Sequence, residues 1–338
     1  MKSGLIAELI LMAGAGLFVL TYKSILPLFG VSMAGKTTVD IKLENFDDVW
    51  GLGYPVEIEK KFRELLPQAE ALADKSIYLQ MLSQIALAQA LQQNFDEAHK
   101  TLDDAQKMLT LAYNLAQVRV LLERGRVFQQ AGKIPNARDY FEQSYALSEQ
   151  NKFDAHTINA AHMIAIVAED TGDKIKWNQL GLDLATTTQD KKAHLWLGSL
   201  YNNLGQNYID AQEYAKALDA YQKALECREL EGYAPNVRVA KWAIARALRL
   251  LDRSDDALVI LLPLAKDYDA VSSSENYEMP VEMFKYARGL VYGELAEAYQ
   301  AKARSFAKLA YDDLSNDPML MQMEPARIER MKHMQDLD

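Results

Sequence analysis

Residues 198–231 read GSLYNNLGQNYIDAQEYAKALDAYQKALECRELE. The first half carries Tyr201, Leu204, Gly205 and Tyr208; the second carries Ala217, Tyr221 and Ala224. Such spacing predicts two helices that pack closely. Small side chains at Gly205, Ala217 and Ala224 let the backbones approach, and the aromatics Tyr208 and Tyr221 fill the space beside them. The intervening AQEYAKA ends one helix and starts the next, giving an antiparallel pair.

Working outward, the same frame recurs. Val118–Gln150 has Leu121, Gly125, Phe128, Ala137, Phe141 and Ser144, with Pro135 in the first turn of its second helix, where a missing N–H costs little. Leu79–Leu109 has Leu82, Ala86, Phe95, Ala98, Leu102 and Ala105. Arg238–Ala265 has Ile244, Ala245, Leu248, Ala257 and Leu261, with Lys241 where a large residue is expected. Ile158–Leu184 keeps Ile164, Ala165 and Ala168, but Trp177 stands where the second helix wants a small residue. The second-helix anchors Ala98, Ala137, Trp177, Ala217 and Ala257 are then 39, 40, 40 and 40 residues apart. Val56–Ala73 reads as a helix ahead of the first unit. Phe284–Leu314 keeps Leu295, Ala296 and Tyr299 in frame but has a degenerate second helix, as expected of a terminal repeat.

The large residue, Leu-Gly and Tyr of the first helix, with Ala, aromatic and Ala on the second, resemble the tetratricopeptide repeat. The resemblance covers roughly Val56–Leu314 and is most specific at Gly198–Glu231. A spacing near 40 exceeds the ~34 of the basic tetratricopeptide unit and overlaps the ~40–47 of HEAT-type repeats. The Gly, Tyr and Ala positions favour the former, with the surplus in longer helices. The resemblance implies an all-α, right-handed superhelical solenoid of antiparallel helix pairs with a concave groove. It also implies that positions 2, 5, 9 and 12 of each unit face that groove. Those positions hold Arg119 and Arg126, Asn159 and His162, Asn202 and Gln206, then Trp242, Arg246 and Arg249. Asn and Gln can hydrogen-bond to a peptide backbone, Arg can hold a carboxylate bidentately, and Trp242 can pack on an apolar side chain. The expectation is a non-catalytic scaffold for a protein or peptide partner, either acidic or bearing a free C-terminal carboxylate. Self-assembly is the alternative within binding functions.

The totals agree with that class. Net charge is −10, which argues against nucleic acid as a partner. One cysteine, Cys227, excludes an intramolecular disulfide and is most simply a packed small residue. None of the five histidines, His99, His156, His162, His194 and His333, forms a recognised metal spacing, so no metal or cofactor is expected. Residues 1–34 form an apolar start. Gly4–Tyr22 carries Glu8 as its one charge and is long enough for a single membrane helix. Lys23, Lys36 and Lys42 after the run, against Lys2 before it, would place the repeat domain in the cytoplasm. A cleaved signal peptide and a true start at Met33, which would make the protein cytoplasmic, are the other readings. Gly30–Thr37 matches the nucleotide-binding pattern GxxxxGKT, the basis of a rival enzyme or nucleotide-switch reading. That loop needs a parallel sheet, for which a helical-repeat chain leaves no room. Residues 35–55, acidic and punctuated by glycine from Asp40 to Gly53, read as a linker or a docked strand-like segment. Residues 315–338 form a Met-rich tail with Met319, Leu320, Met321, Met323, Ile328, Met331 and Met334, suited to covering the open end of the last repeat.

Overall fold

The computed structural model describes residues 42–52, 54–274, 281–299, 302–315, 321 and 324–335. Among them the chain forms 3-10 turns over Leu43–Leu52 and then fifteen α-helices, with no strand. The helices are α1 (Pro55–Glu70), α2 (Ser76–Ala90), α3 (Phe95–Met108), α4 (Asn114–Gln130), α5 (Ile134–Gln150), α6 (Asp154–Val167) and α7 (Thr171–Thr187). After them come α8 (Lys191–His194), α9 (Leu197–Asp210), α10 (Tyr214–Glu231), α11 (Ala234–Leu250), α12 (Ser254–Ser274), α13 (Val281–Ala298), α14 (Ala303–Leu314) and α15 (Pro325–Gln335). The fold is an all-α stack of helix pairs. It divides into two compact units at Leu200/Tyr201.

One local device makes most of the pairs. The first helix ends on a residue in the left-handed conformation: Gln93 (φ 65°), Gly132 (72°), Gln212 (59°) and Asp252 (58°). Each lies five positions before its anchor, Ala98, Ala137, Ala217 or Ala257. The next residue turns back to the helix. Asn94, Lys133, Glu213 and Arg253 donate their N–H groups to the carbonyls of Gln89, Phe128, Tyr208 and Leu248 at 2.8–3.0 Å. This capping motif satisfies carbonyls that a helix end leaves without partners. Tight packing follows from the glycines. A Cβ on Gly125 would lie 2.4 Å from the Phe141 ring, and one on Gly205 would lie 2.5 Å from the Tyr221 ring.

The third pair is built differently, and the register inferred through Trp177 is corrected here. α6 ends at Ala168 in extended backbone, and Asp170 caps α7 by accepting from the Asp173 N–H at 2.9 Å. No left-handed residue intervenes, so the second helix begins early. Its packed face is Asn178, Gly181 and Ala185, which matches Phe141, Ser144 and Ser148 in α5. The position equivalent to Ala137 is therefore Lys174, and the anchor spacings become 39, 37, 43 and 40. The short helix α8 lies in the lengthened connection that follows.

Residues 43–52, expected as a linker or strand-like segment, are helical turns. Phe46, Val49 and Trp50 fall at a helix-like spacing and are buried against Ile58 and Phe62 of α1 and Ile85 of α2 in one hydrophobic core. In the second unit the core gathers Tyr221, Leu261, Tyr268, Tyr286 and Leu295. Helix α15 buries Ile328 and Met331, so this part of the Met-rich tail is a packed helix. The apolar run at residues 4–22, Gly30–Thr37, Met319, Leu320 and Met323 lie outside the described residues.

Candidate functional site

The residues expected to face the groove lie on first helices, and most of them are buried. In the first unit, Arg119 of α4 is 5% exposed. It holds Asp47 with both ends of its guanidinium, Nη2 donating to Oδ1 at 2.6 Å and Nη1 to Oδ2 at 3.1 Å, and reaches Gln80 Oε1 at 3.3 Å. The Phe46 ring lies 5.2 Å from its Cζ. Burial disfavours its charge, but the Asp47 carboxylate more than offsets this and raises its pKa.

A ladder continues from there. Trp50 Nε1 donates to Gln84 Oε1 at 2.9 Å, and Gln84 Nε2 donates to Glu123 Oε1 at 3.3 Å. Arg126 Nη1 donates to both Glu123 oxygens at 2.9 and 3.0 Å, while its Nη2 donates to Asn159 Oδ1 at 2.8 Å. His162 packs 5.3 Å from the Trp196 ring. Burial, reinforced by the charge of Arg126, pushes its pKa down to about 3, so it is neutral at ordinary pH. His156, near Arg119, is held at about 4, chiefly by burial.

In the second unit, Asn202 and Gln206 are also buried. Gln206 donates to Asp210 at 2.7 Å and accepts from Arg246 Nη1 at 3.0 Å and from the Tyr221 hydroxyl at 3.4 Å. Trp242 is not free to receive a ligand with its indole N–H, which donates to the Leu290 carbonyl at 3.2 Å. Glu294 sits at the centre, 0% exposed. It accepts from Arg249 Nε at 2.6 Å and Arg327 Nη1 at 3.0 Å, and Arg246 Nε is 4.0 Å away. Burial would raise the pKa of Glu294, but Arg327 and Arg249 outweigh it and hold it at about 2. Around this point Glu297 pairs with Arg249 and Arg330, and Glu324 with Arg327. Four guanidiniums thus face three carboxylates. The Tyr286 hydroxyl is buried nearby with no hydrogen-bond partner among the described residues, within the electrostatic reach of Arg246 and Arg327.

Sequence reasoning therefore found the first-helix row but missed its counter-charges: Asp47, Glu123, Glu294 and Glu297. Only Glu123 was within reach, three residues before Arg126 on the same helix. The described residues hold no cluster of three or more potential metal ligands and no helix long and apolar enough to cross a membrane.

Residues 196–261 match the tetratricopeptide repeat family model. The chain carries tetratricopeptide repeats. No curated protein sequence matches it. Among solved structures it is similar to a STAND signal-transduction ATPase with a tetratricopeptide repeat sensor from Pyrococcus horikoshii, at 14% identity and a TM-score of 0.59. That match covers 93% of this chain but 52% of the archaeal one. It is also similar to the apo form of RapI, at 12% identity and a TM-score of 0.58 over 92% of this chain and 86% of that one. A Rap protein complexed with competence and sporulation factor matches at 12% identity and 0.54, over 92% and 83%. At these identities the likeness is one of fold. The tetratricopeptide pattern accounts for the Gly205–Tyr221 and Gly125–Phe141 contacts, which lie at equivalent places in two repeats.

Proposed function

We propose that this tetratricopeptide repeat protein is a non-catalytic scaffold that holds a protein or peptide segment, and that a carboxylate of that segment docks at Arg246. The reading is supported by the row of Arg, Asn and Gln side chains on the first helices, and by a structural neighbour that holds competence and sporulation factor. The observation that carries the finer part is the charge imbalance around Glu294. Of the four groove arginines, Arg119, Arg126 and Arg249 each bond a carboxylate at 2.6–2.9 Å. Arg246 does not: its nearest carboxylate among the described residues is 4.0 Å away, and its side chain is 19% exposed. It is flanked by the Trp242 ring, 5.7 Å from its Cζ. A cation that is partly exposed and only weakly compensated is suited to a ligand carboxylate.

The test compares binding of a peptide pool ending in free carboxylates with the same pool amidated. Charge-assisted hydrogen bonds contribute about 1.5–3 kcal/mol, so Arg246→Gln is expected to weaken the free-acid peptides roughly ten- to hundred-fold and leave the amidated ones unchanged. Equal binding of both pools, unaffected by a folded Arg246→Gln variant, would remove Arg246 from the site.

A further inference from the structure

The segment Leu43–Leu52 is not part of any repeat; it packs on α1, yet its side chains reach the first helices of two successive repeats in the first unit. Its contacts there are those of a ligand. Asp47 engages Arg119 bidentately, Phe46 lies against the same guanidinium, and Trp50 donates to Gln84. Arg119 belongs to α4 and Gln84 to α2, so the segment reads side chains from two neighbouring repeats rather than extending one. It also holds a turn of its own. Asn45 accepts from the Lys42 N–H at 2.8 Å and donates to Asp48 at 2.7 Å, so a local turn presents Phe46, Asp47 and Trp50 together.

Remove the segment and the face that remains has a defined demand. Arg119 is buried, and the carboxylate it bonds is Asp47. A buried guanidinium stripped of its carboxylate is costly, so the face requires another acid at that point. Beside it, the places of Phe46 and Trp50 would become an apolar hollow over the core of α1 and α2.

We infer that Leu43–Leu52 is a tethered occupant of a recognition site on the first unit, and that the site's external partner is a protein segment of the pattern aromatic–acidic–x–x–aromatic. The partner binds by displacing the chain's own copy of that pattern. This goes beyond the carboxylate reading of Arg246, which lies in the other unit, and either can fail without the other.

The experiment uses the full chain and a fluorescent peptide of residues 42–52, blocked at both ends. The protein with its own segment intact is expected to bind the peptide at least ten times more weakly than the Asp47→Ala/Trp50→Ala variant, whose site is vacated. Adding Arg119→Gln to that variant is expected to abolish the gain. A folded double variant that binds no better than the starting protein overturns the inference, as does a gain that survives Arg119→Gln. Should the double variant not fold, hydrogen exchange on the unaltered chain decides. Amides of 43–52 exchanging faster than those of α2 support a displaceable segment. Exchange of 43–52 only together with α1 and α2 makes it a fixed cap and overturns the proposal.

Discussion

Replacing Glu294 by Gln removes the charge on which the second unit's polar centre is built. The magnitude can be reached in two ways. Holding a carboxyl at about 2 instead of its ordinary 4.5 corresponds to about 3 kcal/mol, at about 1.4 kcal/mol for each tenfold change in acidity. Deleting one partner of a buried ion pair typically costs about 3–5 kcal/mol, because the other charge stays buried without compensation. Here the groups that lose this partner are Arg327, 4% exposed at its side chain, and Arg249, which keep Glu324 and Glu297. The glutamine carbonyl can still accept one hydrogen bond, which favours the lower end, about 3 kcal/mol. With a urea dependence of about 2 kcal/mol per molar, the midpoint would fall by roughly 1.5 M. Trp242 reports on this unit, since Trp50, Trp177 and Trp196 lie in the other. The pH dependence has a definite sign. The folded-state pKa lies below the unfolded one, so the stabilisation is complete above about pH 4.5 and is lost as pH falls towards 2. The Gln variant lacks that loss. A midpoint shift below 0.5 M (about 1 kcal/mol) in a folded variant would refute the reasoning.

Other substitutions probe the packing and the turns. Gly205→Ala gains about 1 kcal/mol of helix propensity, but its Cβ meets the buried Tyr221 ring at 2.5 Å, and overpacking costs about 1–3 kcal/mol. The expected result is a lower melting temperature, restored when Tyr221 is also made Leu; a rise in the single variant contradicts the close approach. Gly132→Ala introduces a Cβ that touches nothing within 4 Å, so its expected loss of about 1 kcal/mol in chemical denaturation is purely backbone strain at φ 72°. Asp170→Ala removes the cap of α7 and is expected to cost about 1 kcal/mol; unchanged stability would mean that the cap is not what starts that helix.

The fold was legible because close packing of a helix pair constrains residue size at fixed intervals, and Gly205, Ala217 and Tyr221 display those intervals openly. The third pair was misread for a physical reason. Its turn lacks the left-handed residue found at Gln93, Gly132, Gln212 and Asp252, and no single residue type marks that conformation here, since three of the four are not glycine. Trp177 fell at a tempting interval while Lys174 held the equivalent position. For the candidate site, the tetratricopeptide resemblance placed Arg119, Asn159, Gln206 and Arg246 on first helices but said nothing of their burial. That depends on partners brought from afar: Asp47 lies 72 positions from Arg119, and Glu294 lies 45 from Arg249. Position along a helix is a local property, whereas neutralisation of a charge is a tertiary one.

The pairing of these arginines also bears on how fast a partner arrives. Opposite charges at contact distance form a dipole whose field fades quickly, so an approaching chain meets mainly the overall charge of −10, itself screened over a Debye length of about 8 Å. An acidic segment is then repelled during its diffusive approach and attracted only once it has arrived. Added salt would screen the repulsion and quicken capture while weakening the final ion pair, so association and dissociation rates would both rise with ionic strength.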